Sequence, residues 1–274
     1  MKVLLVPSDT KQAEEATRLL AARLEISGIP ACIQPASMRT DLVCAIKDIS
    51  LVVSVGGDGT FLHAAHIVQF AKIPILGFNY GTLGFLSGKC ERDEVELIAD
   101  ALSGDLHIDK RSTLDAHIQD EGGAEYEVSA LNDIVYSRAT AGRIVDFSYS
   151  VNGVHMSSLR ADGLIVATST GSTGYALSVG GPIVSPEYRG MLVVPIAPHT
   201  LNSRTLLVSP SDVLEITTKD RSASPGALFV DGEKLDTSGS LNIKVFKGSH
   251  DVLIARGGGN FYENASRVFF KPKG

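Results

Sequence analysis

Hydrophobic residues in the first third of the chain alternate between two periods. Residues 3–6 form a short apolar run typical of a buried strand, and Ala13, Ala16, Leu20 and Leu24 then recur at helical spacing. Further strands are predicted at 51–55 and 73–77, and helices at 11–26, 60–71 and 94–102. Strands that alternate with helices in this way predict a parallel sheet with right-handed crossovers.

After Gly104 the pattern becomes short, β-branched and interrupted by turns. Residues 144–151 place alternate apolar side chains on one face, and Asn152-Gly153 is a strong hairpin signal. The predicted fold class is α/β plus β: an N-terminal Rossmann-like α/β domain over 1–104 and a C-terminal β-rich domain over 105–256. Residues 257–274 look weakly helical, and we expect this tail to return to the first domain.

Composition narrows the class of protein further. The 274 residues are 44% hydrophobic and 20% charged, which is ordinary for a globular protein. The formal charge of −6 gives no overall attraction to nucleic acid or to an anionic membrane. No stretch approaches the length of a spanning helix, and the first residues do not resemble a signal peptide, so we expect a cytoplasmic protein.

Three scattered cysteines, Cys32, Cys44 and Cys90, do not form the pattern of a disulfide framework or a zinc site. We therefore expect three reduced thiols. His63 and His66 lie at i, i+3 without a placed third ligand, and we interpret them as structural.

The string Gly56-Gly57-Asp58-Gly59-Thr60 follows a buried strand and opens a helix. Glycine amides and a helix N-terminus favour phosphate binding, which makes Gly56, Gly57, Gly59 and Thr60 candidate phosphate ligands. A carboxylate repels phosphate, so Asp58 suggests a separate task such as accepting a proton or holding Mg²⁺. An ordinary strand-to-helix turn with Asp58 as N-cap is an open alternative. The Rossmann fingerprint and the P-loop both fail to match.

Three other strings carry candidate chemistry. Residues 77–86 form a second glycine-rich loop after a strand, with Phe85 able to pack against a ligand ring or in the core. Residues 160–178 contain six hydroxyl groups between 168 and 175 that can bond ribose, amide and phosphate oxygens, whereas the alternative is a polar surface loop. Asn132-Asp133 ends an apolar stretch, and an Asx-turn is the simpler interpretation of that pair.

Taken in order, these strings resemble the NAD kinase family, from Leu51 to about Val184 and more weakly to the C-terminus. The resemblance implies ATP-dependent phosphorylation of the 2′-hydroxyl of the adenosine ribose of NAD, giving NADP. It also implies a divalent cation such as Mg²⁺, NAD and ATP as partners, polyphosphate as a donor in some members, and a homodimer or homotetramer. The sequence singles out no metal ligand.

By the same resemblance, roles transfer to matching positions. Asp58 matches the proton acceptor, and Asn132 and Asp133 match an Asn-acid pair that binds adenosine hydroxyls. Asp133 stands where the family often has Glu, Gly174 where it usually has Ala, and Ser169 where it usually has Pro. The remaining substrate-binding candidates are Gly59, Phe85, Arg143, Arg160, Asp162, Thr173, Gly174, Tyr175, Ala176, Leu177 and Ser178.

Two alternatives stay open at this point. One is a kinase of the same superfamily that acts on a lipid or sugar phosphate, because Gly-Gly-Asp-Gly also occurs there. The other is a dinucleotide-binding sensor without catalysis, against which the carboxylate of Asp58 argues.

Overall fold

The computed structural model describes residues 2–38, 41–80, 84–87, 92–140, 143–219 and 226–270. It divides into two compact units, one formed by 1–110 and 250–274 and the other by 111–249. The sequence-based division placed these boundaries at 104 and 257. Among the helices of the described ranges, none is long and apolar enough to cross a membrane.

The first unit is a parallel sheet with helices in its connections. Its elements are β1 (Lys2–Pro7), α1 (Lys11–Ile26), β2 (Ala31–Ile33), β3 (Ile49–Val55), α2 (Asp58–Ile67), β4 (Ile75–Phe78), α3 (Glu94–Ser103), and, at the end of the chain, α5 (Phe261–Ala265) followed by a π-helix (Ser266–Phe270). The sheet order is β2-β1-β3-β4, and the end of the last strand pairs in parallel with β4 through Ile254 and Ala255. The predicted α/β domain and the return of the chain to it are thus confirmed.

Helix α1 shows how the sequence specifies this unit. The Thr10 side chain accepts a hydrogen bond from the amide of Ala13, which caps the helix N-terminus. Ala13, Thr17, Leu20 and Leu24 are its buried residues, at the spacing of one helical face. The predicted bounds of 11–26 are those observed.

Helix α2 ends earlier than predicted. The apolar pattern suggested 60–71, but the helix runs from Asp58 to Ile67, and Gln69 and Phe70 take left-handed backbone conformations with φ of 53° and 52°. No glycine signals this end, so the sequence pattern could not reveal it.

The second unit is antiparallel β structure. Its elements are β5 (His107–Asp120), β6 (Glu125–Ala130), β7 (Asp133–Arg138), β8 (Val145–Val151), β9 (Val154–Ala161), β10 (Gly163–Ala167), α4 (Tyr175–Ser178), β11 (Met191–Ile196), β12 (Leu206–Val208), β13 (Leu214–Lys219), β14 (Gly226–Val230), β15 (Glu233–Leu235) and β16 (Leu241–Arg256). Strands β5 and β16 each begin in one unit and end in the other.

Two sets of strands form this unit. One sheet has the order β12-β11-β10-β7-β14-β15, and the other set orders β16-β13-β8-β9, with β5 pairing both β16 and β6. Buried side chains from both sets form one hydrophobic cluster. Asn152 and Gly153 have φ of 50° and 77° and close the β8–β9 hairpin, as the sequence predicted. The predicted β-rich domain is confirmed.

The expectation of three free thiols is wrong for two of them. Cys32, in β2, and Cys44, in the following loop, are joined by a disulfide. The spacing of twelve residues matches no familiar framework, so the pairing depends on how the loop folds back. Cys90 lies outside the described residues.

Candidate active site

The carboxylate of Asp58 is the centre of the candidate site in the first unit. Asp58 directly follows β3 and its connecting glycines as the first residue of α2, and it is half-buried. Gly57 occupies the N-cap position, and no side chain in the described part of the chain caps the helix. The alternative in which Asp58 is a simple N-cap is therefore wrong.

Four donors from one short segment converge on this carboxylate. Oδ2 accepts the amide of Phe85 at 2.8 Å. Oδ1 accepts the amides of Leu86 and Ser87 and the Ser87 hydroxyl, each at 3.1 Å. Hydrogen bonds to an ionised acceptor are stronger than neutral ones, so the segment fixes the carboxylate orientation.

The two carboxylate oxygens consequently differ. A carboxylate offers about four acceptor positions, roughly two on each oxygen. Counting the bonds within the described part of the chain, Oδ1 accepts three and Oδ2 accepts one. Oδ2 is the oxygen that retains capacity to accept a proton or hydrogen bond from a ligand.

Glycines make this convergence sterically possible. A Cβ at Gly84 would lie 2.8 Å from Oδ2 of Asp58 and closer still to Oδ1 and Cγ. A Cβ at Gly77 would lie 2.9 Å from the Cα of Ser87, and one at Gly56 would lie 3.0 Å from the Cβ of Thr60. Glycine at these positions therefore allows the two glycine-rich strings to pack this closely. Residues 81–83 of the second string lie outside the described residues.

Phe85 contacts other aromatic rings in the first unit. Its ring stacks on Phe269, with centroids 5.3 Å apart, and lies 6.2 Å from Phe261. At the start of the same loop, the Tyr80 hydroxyl donates to Glu94, which also pairs with Arg23 at 3.1 Å.

The candidate site in the second unit lies at one edge of the six-stranded sheet. Strand β7 begins at Asp133, which pairs with Ala167 at the end of β10. Strand β14 ends at Val230, which pairs with Ile134. Because neighbouring strands are antiparallel, the start of β7 lies beside the ends of both partners.

Asp231 fixes the conformation of this edge. Its carboxylate accepts the amides of Leu131 and Asn132 at 2.7 Å each and that of Asp133 at 3.0 Å. Its own amide donates to the Asp133 carbonyl at 2.9 Å, and its backbone is left-handed, with φ of 47°. The Asn132-Asp133 pair is therefore held by a residue about 100 positions away.

Asp133 has an unusual protonation equilibrium. Burial of its side chain, which is only 7% exposed, and the nearby negative charge of Asp231 raise its pKa to about 7. Near neutral pH this carboxyl can therefore donate a hydrogen bond in its protonated form or accept one in its ionised form.

The hydroxyl-rich loop wraps around the Asn132 backbone. The Thr168 amide donates to the Asn132 carbonyl at 2.9 Å, and the Thr168 hydroxyl donates to Leu131 at 2.6 Å. Gly171 approaches so closely that a Cβ there would lie 2.7 Å from the carbonyl carbon of Asn132. This contact requires a glycine on steric grounds.

Three buried polar atoms in this region lack a partner in the described structure: Oδ1 of Asn132, Oγ of Ser169 and Oγ1 of Thr170. Buried polar groups are nearly always hydrogen-bonded, so such atoms indicate a place for a polar ligand or water. Ser169 and Thr170 lie in the hydroxyl-rich string predicted to bond ribose and phosphate oxygens, although neither was named as a site residue, and the family resemblance implies a further contact from Asp231-Gly232-Glu233. The density of hydroxyls at 168–173 was the available signal for the first two.

Several of the other site residues predicted in this unit are exposed or paired with residues outside the predicted site. Arg143 is exposed, Arg160 lies 3.6 Å from Asp146, and Asp162 pairs with Arg138 at 3.2 Å. The 168–178 loop contains a 3₁₀ turn at Gly171–Thr173 followed by α4. Within it, Ala176 is buried, Thr173, Gly174 and Leu177 are half-buried, and Tyr175 and Ser178 are exposed.

Models of one known protein family match both units of the chain. Residues 3–106 match the model of the ATP-NAD kinase N-terminal domain, and residues 131–257 match that of the ATP-NAD kinase C-terminal domain. The fold is thus that of an ATP-NAD kinase, with both family domains present.

Relatives and solved structures agree with this class. The NAD kinase of Lachnoclostridium phytofermentans is 35% identical over 85% of this chain and 84% of its own. The structure resembles yeast NADH kinase in complex with NADH, with a TM-score of 0.88, 23% identity and coverage of 99% and 88% of the two chains. It also resembles an Archaeoglobus fulgidus NAD kinase in complex with ATP, with a TM-score of 0.75, 24% identity and coverage of 98% and 97%. The chain belongs to the NAD kinase family.

Replacing Gly84 by Ala tests the packing against Asp58. We expect Gly84→Ala to lower the free energy of unfolding by about 1–3 kcal/mol, because the added methyl group overlaps the carboxylate. Urea denaturation measures this, with Gly258→Ala as control because a Cβ there meets no described atom within 4 Å. The cost should shrink in an Asp58→Ala background; an equal cost in both backgrounds would place the clash elsewhere.

The raised pKa of Asp133 predicts a pH-dependent stability. Between about pH 4 and pH 7 the folded protein holds a proton that the unfolded chain releases, so this carboxyl makes the protein less stable as pH rises. Asp133→Asn should therefore stabilise the protein by about 2 kcal/mol more at pH 8 than at pH 5.

Urea unfolding at both pH values measures this difference. Asp48→Asn, at an exposed carboxylate, serves as the matched control. A stability change of Asp133→Asn that is equal at the two pH values would contradict the raised pKa.

Proposed function

We propose that the protein transfers the terminal phosphate of ATP to the 2′-hydroxyl of the adenosine ribose of NAD, giving NADP, with Asp58 as the proton acceptor. The observation that carries this proposal is the fixed carboxylate of Asp58 at the N-terminus of α2, with Oδ2 holding acceptor capacity. Membership of the NAD kinase family supports the choice of substrates.

The proposed chemistry needs few groups. A ribose hydroxyl is a weak nucleophile at neutral pH, and a positioned carboxylate can take its proton as the oxygen bonds to the γ-phosphorus. The bond from phosphorus to the β–γ bridging oxygen breaks, and ADP leaves with the electron pair. Oδ2 of Asp58 is the oxygen that would receive the proton, because Oδ1 already accepts three donors.

The glycine-rich turn would bind the phosphates of the donor. Amides in the first turn of an α-helix have no acceptor within the helix, and the helix dipole favours negative charge there. The amides of Asp58 and Gly59 stand in that first turn, and Gly59 is exposed. Gly57 completes the proposed phosphate-binding turn. The predicted ligands Gly56 and Thr60 shape the turn, because the Gly56 amide donates to the Phe78 carbonyl at 2.9 Å and the Thr60 amide to the Gly57 carbonyl at 3.0 Å.

The second unit would bind the dinucleotide. Asn132, Ser169 and Thr170 offer buried polar atoms that have no partner within the described ranges, which suits ribose or amide groups. Asp133 would contact ribose hydroxyls. We assign supporting contacts to the other residues of this unit predicted from the family: Arg143, Arg160, Asp162, Thr173, Gly174, Tyr175, Ala176, Leu177 and Ser178. Phe85 is also predicted from the family, but it lies in the first unit with its ring stacked on Phe269, and we assign it no substrate contact.

A divalent cation fits this proposal as a companion of the nucleotide. The described residues contain no group of three or more His, Cys, Asp or Glu side chains that could hold a metal ion. Mg²⁺ usually keeps several waters and binds through phosphates and one or two carboxylates, so a prebuilt protein cage is not required. The cation would bind through the phosphates and water and would neutralise phosphate charge, because the Asp58 oxygen with remaining acceptor capacity is assigned to the proton. We also propose a homo-oligomeric, cytoplasmic enzyme.

A coupled assay tests the reaction directly. The protein, NAD, ATP and Mg²⁺ are incubated, and NADP is read with an NADP-specific dehydrogenase. Parallel reactions with polyphosphate and with NADH identify the donor and the acceptor. No NADP with any combination would overturn the proposal and favour a non-catalytic dinucleotide sensor.

Asp58→Asn should lower kcat by about 10²–10⁴-fold, because the amide cannot accept the proton. The Kd for NAD, measured by calorimetry, should stay within about threefold. Asp48→Asn is the control for the same change at an exposed carboxylate. A kcat for Asp58→Asn close to that of the unmodified protein would remove Asp58 from this role.

A further inference from the structure

Phe85 is held at three points within the first unit. Its amide donates to Oδ2 of Asp58 at 2.8 Å, and its carbonyl oxygen accepts a hydrogen bond from Arg256 at 3.4 Å. Its ring stacks on Phe269 with the planes 15° apart and also packs near Phe261. The Phe85 carbonyl shares a planar peptide unit with the Leu86 amide, which donates to Oδ1 of Asp58, so the Arg256 contact orients that amide. The ring contacts fix the residue that lies between the two donating amides.

The aromatic contacts come from the C-terminal segment, residues 261–270. This segment has a defined start, because Asn260 and Glu263 form a reciprocal capping box. Phe261 is buried, at 8% exposed, whereas Phe269 is 37% exposed and has one face on Phe85. Phe261 thus anchors the segment, and Phe269 packs on the loop through its contact with Phe85.

Arg256 supplies the third point from the end of β16. Its side chain is only 10% exposed, and its Nε donates to Asp109 at 2.7 Å. The planar guanidinium lets a second nitrogen reach the Phe85 carbonyl while the first stays paired. A buried charge with one strong partner has little freedom to turn, so this contact is well placed to fix the loop.

We propose that Phe269 and Arg256 are positioning residues for the reaction, which act on Asp58 through Phe85. The inference rests on the proposed role of Asp58 as proton acceptor. The C-terminal segment holds residues 84–87 so that their amides stay aligned on the carboxylate, and the carboxylate keeps Oδ2 directed for proton transfer. Neither residue needs to contact substrate for this role.

The proposal separates turnover from binding. Phe269→Ala removes the stacked ring and loosens residues 84–87. We expect kcat to fall about tenfold, while KM for NAD and for ATP changes less than about twofold, since misalignment of a catalytic group affects the transition state alone. Phe269→Tyr keeps the ring and should restore kcat. Arg256→Lys should lower kcat in the same direction, because an ammonium group lacks the fork that reaches two acceptors.

Phe270→Ala is the matched control. Phe270 neighbours Phe269, belongs to the same π-helix and is 71% exposed. Its ring is absent from the aromatic pairs found among the described residues. Thermal unfolding of every variant shows whether the fold is intact.

Hydrogen–deuterium exchange, read by mass spectrometry on peptides covering 84–87, provides a second measurement on the unliganded protein. Phe269→Ala should speed exchange there about tenfold, and Phe269→Tyr and Phe270→Ala should not. The proposal is overturned if Phe269→Ala matches Phe270→Ala in both kcat and exchange. It is also overturned if kcat falls without faster exchange, or if KM rises in proportion, because the segment would then act on substrate directly.

Failure of the proposed function would be recognised separately. If the unmodified protein forms no NADP, the kinase reaction is wrong, and the exchange measurement alone then decides whether the C-terminal segment holds residues 84–87. If the unmodified protein is active but Asp58→Asn retains full turnover, the catalytic part of the inference fails together with the role of Asp58.

Discussion

The first unit depends on the convergence of backbone amides on one carboxylate. Residues 85–87 direct three N–H groups and a hydroxyl at Asp58, and a segment of chain with that many oriented donors requires an anion. The Asp58 carboxylate and the second glycine-rich string approach each other so closely that no side chain fits at Gly84. The two glycine-rich strings, although separate in sequence, are therefore both needed for this contact. The glycines proposed to bind phosphate and the carboxylate proposed to accept the proton therefore belong to one turn.

The second unit uses the same physical device for another purpose. Asp231 accepts three amides from residues 131–133, as Asp58 does from residues 85–87. Here the carboxylate is the anchor, and the amides belong to the segment proposed to bind the dinucleotide. Both arrangements restrict the motion of a short segment and fix its orientation. This suits phosphoryl transfer, because that reaction depends on alignment and electrostatics more than on covalent chemistry.

Local signals in the sequence predicted the elements that depend on local physics. The cap and apolar spacing of α1 gave its bounds, and Asn152-Gly153 gave the β8–β9 hairpin. The partners of Asp58 and Asp231 could not be predicted, because they lie 27 or more and about 100 residues away and are brought close by the fold. The end of α2 and the Cys32–Cys44 disulfide were not predicted either, because neither has a distinctive local sequence pattern.

The raised pKa of Asp133 also affects the energetics of ligand binding. A group that is partly protonated at neutral pH changes its charge when a ligand supplies or removes hydrogen-bond donors. Dinucleotide association would then be accompanied by uptake or release of a proton. Its measured enthalpy would include the ionisation heat of the buffer, and its affinity would follow the acidity of the medium.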